Sequence, residues 1–315
     1  MEPLENLLDN LRREGEMPEQ AALYHFSDLE PQKIDQVYDV WQDLNVDLRR
    51  HITAMLMKMA EADFSLNFNT VFRIALSDED AEVRTMAIEG LWEDEDASLV
   101  PLLAERLRED PSAQARAAAA MSLGRFILLG EMRKILTASR DLAYEVLLLT
   151  YQDHEEHLDV RRRALESLAY TGNKTVTRLI DQAYTAPEEK MHVSAVFAMG
   201  RSADNCWAQK VRQKLFNANP EMRYEAARSC GELQLSETVK DLVELVEDVD
   251  VEVQEAALWA LGQIGGNEAR EILERYSQEE NEALKTVACE ALDELEFLHS
   301  DLDDLFAQLA EEPDW

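Results

Sequence analysis

The chain is expected to be all-α: a right-handed α-solenoid of about eight stacked helical hairpins with capping helices at its ends. Three observations predict this. The first is a recurrence. Arg49, Arg84, Arg116, Arg161, His192, Arg223, Gln254 and Lys285 stand 35, 32, 45, 31, 31, 31 and 31 residues apart, and a fixed period of about 20–50 residues marks stacked supersecondary units. The second is a set of columns that travels with it. With the residue before each recurring position as offset 0, offset 0 reads Leu48, Val83, Ala115, Val160, Met191, Met222, Val253 and Leu284. Offset 4 reads Ile52, then Ala87, Ala119, Ala164, Ala195, Ala226, Ala257 and Ala288. Offsets 7 and 8 pair a small residue with a larger one, as in Ser167-Leu168 and Ala260-Leu261. Offsets 0, 4, 7 and 8 share one face of a 3.6-residue helix. The third is the scarcity of turn formers, ten Gly and eight Pro in 315 residues, which argues against a β-rich fold.

Taken in chain order, the N-terminal stripe Leu4, Leu7, Leu8 and Leu11 predicts an amphipathic helix, closed by Gly15, that caps the first repeat. The recurring helices then start at Asn45, Asp80, Ser112, Asn219, Asp250 and Asn281, each three residues before offset 0 and each a good N-cap. The repeats at Val160 and Met191 carry His157 and Glu188 there instead. Two residues before the caps stand Asp43, Asp78, Asp110, Asn217 and Asp248. These are expected to turn the loop and to meet the recurring arginine of their own or the neighbouring repeat, fixing the stacking register. Upstream of each recurring helix lies a second amphipathic segment, such as residues 99–108, 176–184, 208–216, 239–246 and 269–276, so the unit is helix, turn, helix. Gly124, Gly200, Gly231 and Gly262 at offset 9 suit a C-cap or a close approach to the next layer. Gly265-Gly266 is a turn signal. The 45-residue step has 14 residues beyond the common 31, enough to lengthen a helix pair or add a helix of about 21 Å. At the C-terminus Leu302, Leu305, Phe306 and Leu309 form a last stripe, to cap the array or to bind a partner. The expected organisation is a capping region at 1–31, a repeat array at 32–298 expanded near 125–160, and an acidic capping helix or tail at 299–315.

At this point the chain resembles a known family. The pattern Asp-x-x-Val-Arg-x-x-Ala-x-x-Gly/Ala-Leu, as in Asp80–Leu91 and Asp250–Leu261, is similar to the HEAT repeat. Its 31-residue period is similar to the short variant found in phycobilisome lyases. The resemblance covers about residues 32–298 and implies an armadillo-like helical fold, which serves many roles.

Charge and motifs narrow the function. Sixty-five acidic against 31 basic residues leave a net charge of −34. Such a field repels nucleic-acid phosphates and anionic membrane surfaces. No run of 18 apolar residues is present to span a membrane. Cys206, Cys230 and Cys289 lack metal-type spacing and suit reduced thiols, and the acidic N-terminus lacks an apolar signal core, so a cytoplasmic location is expected. Phosphate-binding loops and the nucleophile elbow are missing. His154, Glu155 and His157 form the one candidate metal cluster, for on a helix the two histidines would share a face; a solvated polar loop is the alternative. Deoxyhypusine hydroxylases, whose repeats look similar, build a di-iron site from several His-Glu dyads. Here only His154-Glu155 has that form, so neither that activity nor a phycobilin-lyase activity is carried over, and no cofactor is expected.

Partner binding is the remaining expectation. Offsets 2, 6 and 10 should form the exposed stripe of the concave face: Ala117, Met121, Arg125; Arg162, Glu166, Tyr170; Val193, Phe197, Arg201; Tyr224, Arg228, Glu232; Glu255, Trp259, Gln263. Arg125, Arg162, Tyr170, Phe197, Arg201, Tyr224, Arg228, Trp259 and Gln263 are the candidate contacts, because arginine with exposed aromatics is the composition of binding hot spots. The expected partner is another protein, through an acidic or phosphorylated peptide held by arginine forks. The alternative is that the aromatics fill the interlayer core and the arginines pair with neighbouring acids.

Overall fold

The computed structural model describes residues 3–14 and 17–310, with the backbone alone for Glu14 and for 298–310. The described residues hold eighteen α-helices and no strand. They fall into two compact units, Met1–Leu168 and Ala169–Trp315.

In the first unit α1 (Pro3–Glu14) buries Leu4, Leu7, Leu8 and Leu11, the stripe expected to cap. It packs on α2 (Gln20–Leu23) and on α3 (Ile34–Asp43). Helical hairpins follow: α3 with α4 (Val46–Ala62), α5 (Asn69–Ala75) with α6 (Ala81–Gly90), α7 (Leu99–Glu109) with α8 (Ala113–Glu131), and α9 (Thr137–Gln152) with α10 (Leu158–Leu168). The second members stack in order, α4 on α6, α6 on α8 and α8 on α10. The surplus residues lengthen a pair and add no helix: α8 runs 19 residues and α9 16, against 10 in α6.

The second unit repeats the plan. Its hairpins are α11 (Lys174–Ala183) with α12 (Glu189–Arg201), α13 (Ala208–Arg212) with α14 (Pro220–Glu232), α15 (Val239–Leu245) with α16 (Val251–Ile264), and α17 (Asn267–Tyr276) with α18 (Glu282–Ala310). Helices α12, α14, α16 and α18 stack in turn. The turn after α16 is made by Gly265 and Gly266, both at positive φ (73° and 95°), where glycine is favoured. The side chains of Leu302, Leu305, Phe306 and Leu309 lie outside the described residues.

The columns are the core. All eight offset-4 residues, Ala226 and Ala257 among them, are 0% exposed. Each expected cap forms: Asn45, Asp80, Ser112, Asn219, Asp250 and Asn281 accept from backbone amides two or three residues on. The offset-9 glycines serve close approach. A Cβ on Gly124, Gly200, Gly231 or Gly262 would meet Ser167, Ser229, Ala260 or Ala291, with those residues' Cα atoms at 2.9–3.1 Å. Each contacted residue sits at offset 7 of the next repeat, and the Ser167 and Ser229 hydroxyls donate back to the Ala120 and Val196 carbonyls.

The recurring arginines tie successive repeats together. Arg84 donates through Nη1 to the Asp78 carbonyl at 2.7 Å and through Nε and Nη2 to both Asp110 carboxylate oxygens at 2.7 Å. Arg223 does the same with the Asn217 carbonyl and Asp248. Arg116 reaches the Asp110 carbonyl and Glu156. Arg49 pairs with Asp78, whose other donors are Trp41 Nε1 and the Asp80 amide. At His192 and Gln254 only the link to their own loop is kept, to the Ala186 and Asp248 carbonyls.

Candidate functional site

The expected contacts fall on the second helices of the hairpins, and the two units divide them. Arg125 and Arg162 belong to the first unit and the other seven to the second. Three stripe positions are not exposed. Arg162, Glu166 and Val193 are 8%, 6% and 2% exposed, because neighbouring helices cover them. Arg162 Nη1 donates to Asp159 at 3.2 Å. Arg125 is half-buried: Nη1 donates to the Trp92 carbonyl, the guanidinium lies 4.9 Å from the Phe126 ring, and burial lowers its pKa.

In the second unit the stripe forms a lateral chain. Arg201 lies 5.2 Å from the Phe197 ring and pairs with Glu232 of the next second helix at 3.2 Å. Arg228 of α14 stacks on Trp259 of α16, 3.7 Å from the ring centroid. Gln263 of α16 donates to Glu294 of α18 at 2.6 Å. Burial pushes the Glu232 carboxyl up, and Arg201 and Arg228 pull it back. Tyr170 is half-buried just past the end of α10. The arginines therefore pair largely with neighbouring side chains, the alternative weighed from sequence.

Sequence reasoning missed two grooves, one in each unit. One, of about 540 Å³, opens between α14 and α16 and is lined by Tyr224 and Val253 with Glu221, Glu225, Asp250, Glu252 and Glu255. The other, of about 360 Å³, opens between α6 and α8 and reaches α10. Its lining includes Met86, Met121, Glu82, Glu89, Asp159 and Arg163. Both draw on the same columns, offset 2 (Thr85, Ala117; Tyr224, Glu255) and offset −1 (Glu82, Asp159; Glu221, Glu252). The acidic offset −1 column was the available signal. Burial raises the Glu89 carboxyl, and no basic side chain among the described residues pairs with it.

The metal candidates do not share a helix face. Residues 153–157 form a turn in which Asp153 accepts from the Glu155 amide. His154 accepts from Arg161 at 3.1 Å, and His157 Nδ1 accepts from the Asp159 amide, filling the cap position of α10. Among the described residues no three His, Cys, Asp or Glu side chains converge as a metal site. No helix among them is long and apolar enough to cross a membrane.

Stacked hairpins whose second helices present one face define a helical-repeat protein. A family model for HEAT repeats matches residues 69–141 and 208–293, together half of the chain. The chain belongs to the HEAT-repeat family. Its structure is similar to the CpcE–CpcF complex of phycocyanin lyase from Nostoc sp. PCC7120, with 18% identity and a TM-score of 0.54 over 75% of this chain and 94% of that one. Yeast importin-beta (Kap95p) is 13% identical with a TM-score of 0.51, over 93% of this chain and 46% of that one. Human deoxyhypusine hydroxylase is 16% identical over 84% of this chain and 96% of that one, but its TM-score of 0.38 carries no argument. No characterised protein sequence matches. At these identities the likeness establishes the fold alone.

Proposed function

We propose that the chain is a protein–protein interaction scaffold or adaptor of the cytoplasm, binding its partner along the concave face lined by the second helices. One observation carries this reading: grooves recur at the same repeat columns in both units, next to half-buried aromatic and methionine side chains. A face built only for stacking has no need of such recesses. The similar CpcE–CpcF structure is itself a complex, which fits the same reading. Three free thiols suit a reducing compartment, and burial pushes that of Cys230 up to about 12. The array at 32–298 with caps on either side is retained as the proposed organisation.

An acidic or phosphorylated peptide is the second reading of the partner, favoured by the half-exposed Arg228–Trp259 stack. It would have to draw Arg201 away from Glu232. The scaffold reading is tested by capture from the native host, followed by mass spectrometry, with the wild-type chain and with Tyr224→Ala/Met121→Ala. Loss of specific partners at an unchanged melting temperature supports it. Equal capture by both chains rejects the face.

A further inference from the structure

We infer that the C-terminal segment of a second copy of this chain, residues 298–315, docks as an amphipathic helix along the exposed stripe of α8. The inference goes beyond the scaffold reading and shares only Met121 with the grooves above. Helix α8 runs 19 residues where α10, its neighbour in the stack, runs 11. On the repeat columns α10 ends at Leu168 and α8 reaches the same position at Leu123, so residues 124–131, about 12 Å of helix, run past that neighbour. One side of these turns is buried, through Phe126, Ile127 and Leu129. The other side is open: Met121, Leu128 and Met132 are exposed, and Leu136 at the start of α9 is 77% exposed. Arg125 stands in the same stripe. Its guanidinium is held by the Trp92 carbonyl and the Phe126 ring, so it adds a stem and no free charge.

Two properties name the occupant. The first is register. Met121, Arg125, Leu128 and Met132 are spaced by four, three and four residues, the seam along which two helices pack side by side. Leu298, Leu302, Leu305 and Leu309 repeat the same steps within α18, which is continuous to Ala310. The second is charge. Residues 125–141 carry Arg125, Arg133, Lys134 and Arg140 against two acids, Glu131 and Asp141, and Arg140 takes both acids. Arg133 and Lys134 are exposed, and no carboxylate among the described residues pairs with them. Residues 298–315 carry six acids and no lysine or arginine. A chain of net charge −34 repels such a segment in general. The end of α8 attracts it, and a Debye length of about 8 Å screens the more distant acids. Each copy carries both halves of the contact, so two copies can exchange segments reciprocally.

The test is the solution mass of the purified full chain, by sedimentation equilibrium over a range of concentrations. The wild type is expected to rise from monomer toward dimer mass. Leu128→Ser/Met132→Ser and, separately, Leu302→Ser/Leu305→Ser should each weaken association at least roughly tenfold. Mixing these two variants should restore a dimer, because each supplies the half of the contact that the other lacks. Arg133→Glu/Lys134→Glu should weaken association at least roughly fivefold, and it replaces the serine pair on α8 if that pair does not fold. The α8 side chains are exposed, so melting temperatures read by circular dichroism should stay unchanged. A monomer at every concentration up to roughly 100 μM, where a micromolar contact would be nearly saturated, would overturn the inference. So would a dimer that survives either serine pair, or a mixture that stays monomeric. None of these substitutions touches Tyr224 or Met121, so the capture experiment decides the scaffold reading separately.

Discussion

Arg84 and Asp110 are 4% and 2% exposed, and their forked pair ties α6 to the loop before α8. Burying both charges costs nearly what their attraction returns, whereas removing one strands the other. Arg84→Ala should therefore cost about 3–5 kcal/mol in urea denaturation, while Arg84→Met/Asp110→Leu should cost far less. The acids of these clamps also set the acid limit. The Arg223 guanidinium holds Asp248 below its ordinary value, and Arg50 holds Asp80 at about 2. A folded value below the unfolded one gives stability that is complete above about pH 4 and fades as pH falls through the folded value. Asp248→Asn should thus be less stable at pH 7 and lose less stability between pH 4 and pH 2, read from chemical denaturation at each pH. The clamp was legible in sequence because both partners recur as columns. The state of Arg201 was not, since it depends on Glu232, a residue of the following helix whose reach no single-helix pattern reveals.

The helices meet through glycine against small residue, and this contact was half legible. Offset 9 announced glycine, but only the structure gives its counterpart at offset 7 of the next repeat. Gly262→Val should overpack against Ala291 and cost about 1–3 kcal/mol in thermal or urea unfolding. Gly172→Ala, where a Cβ meets nothing within 4 Å, should be neutral or slightly stabilising in the same assay. The His154–His157 segment was read as a helix face because its spacing fits one. The Asp153 side chain captures the Glu155 amide and turns the chain instead, a local competition that periodicity does not register. The 14 surplus residues were visible as a number. That they extend α8 and α9 follows from Phe126, Ile127, Val146 and Leu147, which are at most 1% exposed and so continue the buried faces of both helices.

Across the whole molecule, a net charge of −34 acts against compactness. Salt screens that repulsion, with a Debye length of about 8 Å at physiological strength. Raising sodium chloride from low to physiological concentration should raise the melting temperature, as followed by circular dichroism, with the exposed acids responding more than the buried clamps. The regular period made the hairpins legible; the unit boundary at 168–169 falls between the two repeats whose cap column breaks, at His157 and Glu188, while offset 4 runs on unchanged.

Asp248 serves two masters. Its carboxylate grips Arg223 of the preceding repeat, while its carbonyl takes Gln254 of its own and its side chain also holds the Asp250 amide. A loop of this kind belongs to neither hairpin alone. Anyone shortening, duplicating or transplanting a module of this protein should cut so that the loop acid travels with the arginine upstream of it. A cassette bounded at the loop would leave a guanidinium orphaned at one junction and a carboxylate at the other.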